Sequence, residues 1–209
     1  MRPILFQSAW MSLQEKIETP IVPLPSAWAG LGDSELLTYF LEPATRDRAF
    51  REILNRYQKR VYYHVRRIVI DHDDAADVVQ NTFVKELVSL EGFRSHSLLF
   101  TWIYRIATNE AITFLKRKRT RYFIPLVDVE SELSSKLDSD PLFNADKMER
   151  HLQKAILKLP QKQRLVFNMR YYDEMSYHEI AEITDTSEGA LKASYHIAFK
   201  KIVNYLSGN

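Results

Sequence analysis

The sequence predicts an all-α fold of two small helical domains, and three observations carry that expectation. Glycine is scarce, five in 209 residues, while Leu, Ile, Ala, Glu, Lys and Arg fill the periodic stretches. Apolar residues recur at three- and four-residue steps through two blocks, 33–121 and 144–209. Between them, 122–143 holds Pro125, Pro141, serines and acids with little pattern, the composition of a linker.

Residues 1–32 carry Pro3, Pro20, Pro23, Pro25, Gly30 and Gly32 and read as a flexible extension. The opening MRPILFQSAWMSLQEK has a short apolar run, but Glu15 and Glu18 follow it and no small-residue cleavage site is evident. It is read as a non-secretory tail. The first block divides into helices near 34–41, 46–70, 74–90 and 98–118; Gly92 and the run Arg94-Ser95-His96-Ser97 separate the last two. In the second block a helix ends near Leu159. Pro160 then opens another that runs through Arg170, because a missing N–H costs nothing in a first helical turn.

Residues 176–201 read as a helix-turn-helix. Ser176 and Glu179 have the spacing of a capping box, and Ile180, Ala181 and Ile183 form the buried side of the first helix. The break falls at Thr184-Asp185-Thr186, where Asp185 best tolerates a left-handed turn in the absence of glycine. Ser187 caps the second helix, whose core stripe is Leu191, Tyr195, Ala198 and Ile202. The opposite stripe, Gly189, Lys192, Ala193, His196 and Lys200, is small or basic, a shape that fits phosphates and base edges. A helical hairpin within an ordinary bundle remains the alternative at this point.

Two other helices carry surfaces worth naming. Over 74–90, Ala76, Val79, Phe83, Leu87 and Leu90 form the expected core face. Asp77, Gln80, Asn81, Val84 and Val88 lie opposite, and two valines on a polar stripe suggest a protein contact. Over 98–118, Leu99, Trp102, Ile103, Ile106 and Phe114 are expected inward. Thr101, Arg105, Thr108, Asn109, Lys116 and Arg119 form a polar, basic stripe near aromatic rings, a combination that can hold unpaired bases.

The net charge of +2 conceals segregation. Lys116-Arg117-Lys118-Arg119 and Arg121 make a basic knot, whereas Asp128, Glu130, Glu132, Asp138 and Asp140 make the following stretch acidic. This pattern fits a polyanion-binding face beside an acidic connector. The chain has no cysteine, so disulfides and thiolate metal sites are excluded, in keeping with a reducing cytoplasm. No run approaches the roughly 18 apolar residues of a bilayer span, so no membrane insertion is expected. His64 and His72 lie near Asp71, Asp73 and Asp74, but without metal-ligand spacing, and helix capping accounts for the aspartates. No metal or cofactor is expected. With no glycine-rich phosphate loop and no GxSxG, the chain is not expected to be an enzyme.

Three stretches together, DDAADVVQNTFVKE, FRSHSLLFTWIYRIATNEAITFLKRKR and LPQKQRLVFNMRYYDEMSYHEIAEITDTSEGALKASYH, closely resemble the extracytoplasmic-function (ECF) sigma factors of the sigma-70 family. The resemblance runs from Asp33 to the C-terminus. It implies a region 2 helical bundle at 33–121 and a region 4 helix-turn-helix at 144–209, joined by the acidic linker 122–143. It further implies a factor that binds bacterial core RNA polymerase, directs it to promoters and assists melting.

Carried over by position, the resemblance places core-polymerase contacts at Asp77, Gln80 and Phe83, and Asn81 and Val84 of the outer face are expected to join them. Contacts to the melted minus-ten strand fall at Arg94, Ser95, His96, Ser97, Thr101, Trp102, Arg105, Thr108, Asn109 and Lys116. Contacts to minus-thirty-five duplex fall at Ser187, Glu188, Gly189, Lys192, Ala193, His196 and Lys200. Many relatives carry Lys-Ser-Arg in the recognition helix where this chain has Lys192-Ala193-Ser194, so one arginine contact is missing. An anti-sigma factor is a candidate further partner. The rival reading from the residues alone is a conventional helix-turn-helix regulator that binds duplex DNA without polymerase.

Overall fold

The structure, a computed structural model, describes residues 28, 30–93, 98–121, 135, 137 and 147–208, with backbone alone at 119, 121 and 147. Among these the chain forms eight α-helices and no strand. The first four are α1 (Asp33–Leu41), α2 (Arg46–Val69), α3 (His72–Ser89), which ends in a 3₁₀ turn at Leu90–Gly92, and α4 (Leu99–Arg121). The second group comprises α5 (Lys147–Leu157), α6 (Gln161–Tyr171), α7 (Tyr177–Thr184) and α8 (Glu188–Leu206).

The ends of these helices follow from local chemistry. Asp71 caps α3 by accepting from the Asp74 N–H at 3.0 Å, satisfying an amide that has no partner within the helix. The α2–α3 corner turns at Ile70, whose φ of 66° is unusual for a β-branched residue. Its side chain is buried against Leu137 and Leu157, contacts that hold the turn. Ser176 and Glu179 cap α7 reciprocally: the Glu179 N–H donates to Ser176 Oγ at 3.2 Å and the Ser176 N–H to Glu179 Oε2 at 2.7 Å. Asp185 adopts the left-handed conformation, φ 52° and ψ 46°, between α7 and α8, at the turn expected from the sequence.

Helices α2, α3 and α4 pack on one another, and α1 lies across α2. Ile53, Val61, Val65, Val79, Phe83, Ile103 and Ala107 fill the centre. The bundle is tied at its rim by Lys118 and Asp74 at 2.6 Å, by Lys85 with Glu110, and by Arg46 with Glu91. In the second group α8 packs on α5, α6 and α7 around Ile156, Phe167, Ala198 and Ile202.

The two groups do not stand apart. Helix α7 lies along α4, and α6 meets α2. Val166, Met169, Met175, Ile180, Ile183 and Leu191 of the second group belong to the same continuous apolar core as α2, α3 and α4. Polar contacts reinforce this junction. The wholly buried His64 of α2 has Nδ1 2.8 Å from Asp173 Oδ2 and Nε2 2.9 Å from Thr108 Oγ1. Arg67 Nη1 donates to Asp173 Oδ1 at 3.2 Å, and its guanidinium lies 4.3 Å from the centre of the Tyr172 ring.

Candidate polymerase and nucleic-acid interfaces

Helix α3 buries Ala75, Val78, Val79, Thr82, Phe83, and Glu86, and Leu90 follows them into the core from the 3₁₀ turn. The buried face is rotated from the expected one: Ala76 and Leu87 are only half-buried. On the outer face Asp77 and Asn81 are exposed and Gln80 half-exposed, with Val84 and Val88 beside them at 39% and 77% exposure. These two valines make an apolar step in a polar stripe, the composition of an interface core. Phe83 is corrected. At 1% exposure it belongs to the core and cannot be a docking contact in this conformation.

Glu86 on the buried face was not foreseen from the sequence. Neither carboxylate oxygen has a hydrogen-bond partner among the described residues. Burial pushes its carboxyl well above the usual range, because an unpaired charge is costly away from water. The sole signal in the sequence is an acid in register with apolar neighbours, which helical periodicity leaves ambiguous.

Helix α4 presents Arg105, Asn109 and Lys116 to solvent. Trp102 is half-buried and leans on Phe93, their ring centres 5.1 Å apart. Two expected strand contacts are corrected: Thr101 and Thr108 are each only 2% exposed. Thr101 Oγ1 donates to the Leu98 carbonyl at 2.8 Å, and Thr108 meets His64. Both hydroxyls are thereby satisfied internally, which is how polar residues are accommodated in a core. Arg94, Ser95, His96 and Ser97 lie outside the described residues, as does most of the acidic stretch; the Arg119 side chain is likewise undescribed.

The recognition helix α8 buries Leu191, Ala198 and Ile202, with Tyr195 half-buried against Phe167. Glu188, Gly189, Lys192, Ala193, His196 and Lys200 are all solvent-facing. Ser187 Oγ accepts from the Ala190 N–H at 3.4 Å, and Glu188 pairs with Lys192 at the same distance. The result is an open helix N-terminus beside a stripe of small and basic side chains, suited to a groove flanked by phosphates.

The histidines near the aspartates are otherwise engaged: His72 Nδ1 meets the Tyr62 hydroxyl at 2.7 Å. Among the described residues no group of three His, Cys, Asp or Glu side chains could hold a metal ion. No helix there is long and apolar enough to cross a membrane.

A bundle with a polar–apolar outer stripe is thus joined to a helix-turn-helix with a solvent-facing stripe of small and basic side chains. Residues 53–121 match the family described as Sigma-70 region 2, and residues 149–202 match Sigma-70, region 4. The chain is 30% identical over 156 residues to the ECF RNA polymerase sigma factor SigW of Bacillus subtilis (strain 168), covering 71% of this chain and 83% of that one. It is 31% identical over 167 residues to the ECF RNA polymerase sigma-E factor of Escherichia coli (strain K12), covering 75% and 86%.

The chain belongs to the ECF sigma factors of the sigma-70 family. A sigma factor is a factor of transcription initiation rather than an enzyme.

Its fold is shared with CnrH in complex with the cytosolic domain of CnrY, at a TM-score of 0.62 and 22% identity over 85% of this chain and 98% of that one. It is also shared with the sigma factor RpoE in complex with the anti-sigma factor NepR from Bartonella quintana, at 0.60 and 19% over 76% and 96%.

Proposed function

We propose that this chain binds bacterial core RNA polymerase in the cytoplasm through the outer stripe of α3, Asp77, Gln80, Asn81 and Val84, with Val88 completing the apolar step. Arg105, Asn109, Lys116 and Trp102 of α4, with the segment Arg94-Ser95-His96-Ser97, hold the melted minus-ten strand. Ser187, Glu188, Gly189, Lys192, Ala193, His196 and Lys200 of α8 engage minus-thirty-five duplex. The functional units are 33–121 and 144–209, with 122–143 as their acidic connector and 1–32 as an extension. An anti-sigma factor is a further candidate partner, since a related fold is found in complex with the anti-sigma factor NepR.

The observation that carries this reading is the pairing on one chain of two different basic faces. One is the solvent-facing stripe of a helix-turn-helix, and the other is Arg105, Asn109 and Lys116 on a helix backed by aromatic rings. Groove binding and single-strand stacking require such different surfaces. Two weak sites on one chain bind strongly only when geometry engages both at once, which is the service polymerase would provide.

The test is reconstituted transcription with bacterial core polymerase and a fragmented genomic template library. Promoter-specific transcripts that depend on this chain are expected. Their absence, together with tight duplex binding by the chain alone, would favour the independent regulator.

A further inference from the structure

Helix α8 contains one acid, Glu188, in its first turn, whereas Lys192, Lys200 and Lys201 follow it along the helix. Gly189, Ala190 and Ala193 are exposed beside it and carry nothing longer than a methyl group. Around Gly189 the space is open: a Cβ there would meet nothing within 4 Å. The start of α8 can therefore lie close to a base-pair edge, with Glu188 and Lys192 as the long exposed side chains of its first two turns.

The carboxylate of Glu188 is flanked from two sides. Lys192 Nζ lies 3.4 Å from Oε2 within α8. His178 of α7 has Nδ1 3.7 Å from Glu188 Oε1, while its Nε2 lies 3.9 Å from Glu182 Oε1. The imidazole thus sits between carboxylates of two helices, a placement that helical periodicity cannot show because it crosses the turn at Asp185. Exposed pairs of this kind add little stability, and their effect is to orient the group they hold.

A carboxylate on a DNA-facing stripe repels phosphate, so what it contributes is discrimination among bases. An ionised carboxylate only accepts hydrogen bonds. In the major groove cytosine offers its N4 amino donor with no acceptor beside it, adenine sets the N7 acceptor next to its N6 donor, and guanine and thymine present acceptors. Cytosine is the base that matches Glu188.

We propose that Glu188 selects a cytosine in the minus-thirty-five duplex and that His178 is a positioning residue that keeps its carboxylate aimed at the base edge. The inference rests on the reading of α8 as the duplex-binding helix of a sigma factor and adds to it a base and the residue that chooses it. When Lys192 turns to a phosphate, His178, on a separate helix, remains beside the carboxylate.

The test combines the full chain with core polymerase and a promoter library randomised through the upstream duplex element, and sequences the bound fraction. The wild-type chain is expected to prefer cytosine at one position by about fivefold or more. Glu188→Gln, nearly the same in shape, gains an amide donor and should move the preference at that position to adenine, which glutamine pairs through N6 and N7. Glu188→Ala should leave the position indifferent. His178→Ala is expected to lose most of the cytosine preference while the other positions keep theirs, and His178→Lys to restore it. Both residues are exposed, and circular dichroism of each variant checks the helices. A cytosine preference that survives both Glu188 variants would overturn the proposal, and a His178→Ala profile identical to the wild type would overturn the positioning role. Enrichment by the wild-type chain with an unmoved base in the variants sinks this inference alone, whereas no enrichment of any sequence by the wild-type chain sinks the sigma-factor role itself.

Discussion

His64 Nδ1 and Asp173 Oδ2 stand 2.8 Å apart across 109 residues of sequence, with the histidine wholly enclosed. The pair joins α2 to the turn before the helix-turn-helix, and Thr108 completes the partners of the ring. Replacing His64 by Ala leaves Asp173 with Arg67 and strands the Thr108 hydroxyl. The expected cost is on the order of 1–3 kcal/mol, the penalty for buried polar groups deprived of a partner. Urea unfolding of His64→Ala against the wild-type chain measures it.

Glu86 makes the stability of the chain pH-dependent in a defined direction. Its folded carboxyl is held well above the ordinary value of 4.5 by burial. Below that value both folded and unfolded chains are protonated. As pH rises the unfolded chain ionises first, so stability falls until pH reaches the folded value. Glu86→Gln therefore raises the melting temperature near pH 7, and its advantage over the wild-type chain shrinks towards pH 4. An advantage independent of pH would show that folding leaves the proton affinity of this carboxyl unchanged.

Phe83 and Asp77 answer differently to mutation although they lie on one helix. Phe83→Ala empties a core site and is expected to destabilise by about 3–5 kcal/mol, so any loss of polymerase binding accompanies a loss of helix by circular dichroism. Asp77→Arg with Gln80→Ala alters only the outer face. It is expected to abolish retention by core polymerase with an unchanged spectrum, and full retention would remove α3 as the docking face.

Asp185 is held at a positive φ. Asp185→Val places a β-branched side chain in that conformation and is expected to destabilise by about 1–2 kcal/mol, whereas Asp185→Gly relieves strain. Thermal melts of the two variants should move in opposite directions.

Duplex binding by α8 should depend on Lys192 and Lys200 through phosphates. Lys192→Ala and Lys200→Ala each weaken binding, and each is expected to reduce the salt slope by about 0.9. Titrations of labelled duplex at several salt concentrations provide the measurement. An unchanged slope would place both lysines away from the backbone.

Much of the fold was legible because its signals are local. The capping box at Ser176 and Glu179, the left-handed Asp185 and the stripe Leu191, Ala198 and Ile202 depend on residues within a few positions of one another. The exposed face of α8 was legible for the same reason. Misplacements came where periodicity meets several packing partners. Helix α4 touches α2, α3 and α7 at once, so its buried arc is wider than an amphipathic stripe and takes in Thr101 and Thr108. Phe83 fits a docking motif and a core face equally well at the level of spacing; only packing separates them.

The sequence by itself determined an all-α chain, the helix ends and the bare basic stripe of the recognition helix, since hydrogen-bond capping and helical periodicity act within one or two turns. It also held the three stretches by which the chain is similar to ECF sigma factors. Only the tertiary structure decided that the two helical groups share one core, that Glu86 is enclosed without a hydrogen-bond partner among the described residues, and that Asp173 reaches His64 and Arg67. Contacts between residues a hundred positions apart depend on how whole helices pack, and that relation leaves no periodic trace in either segment alone.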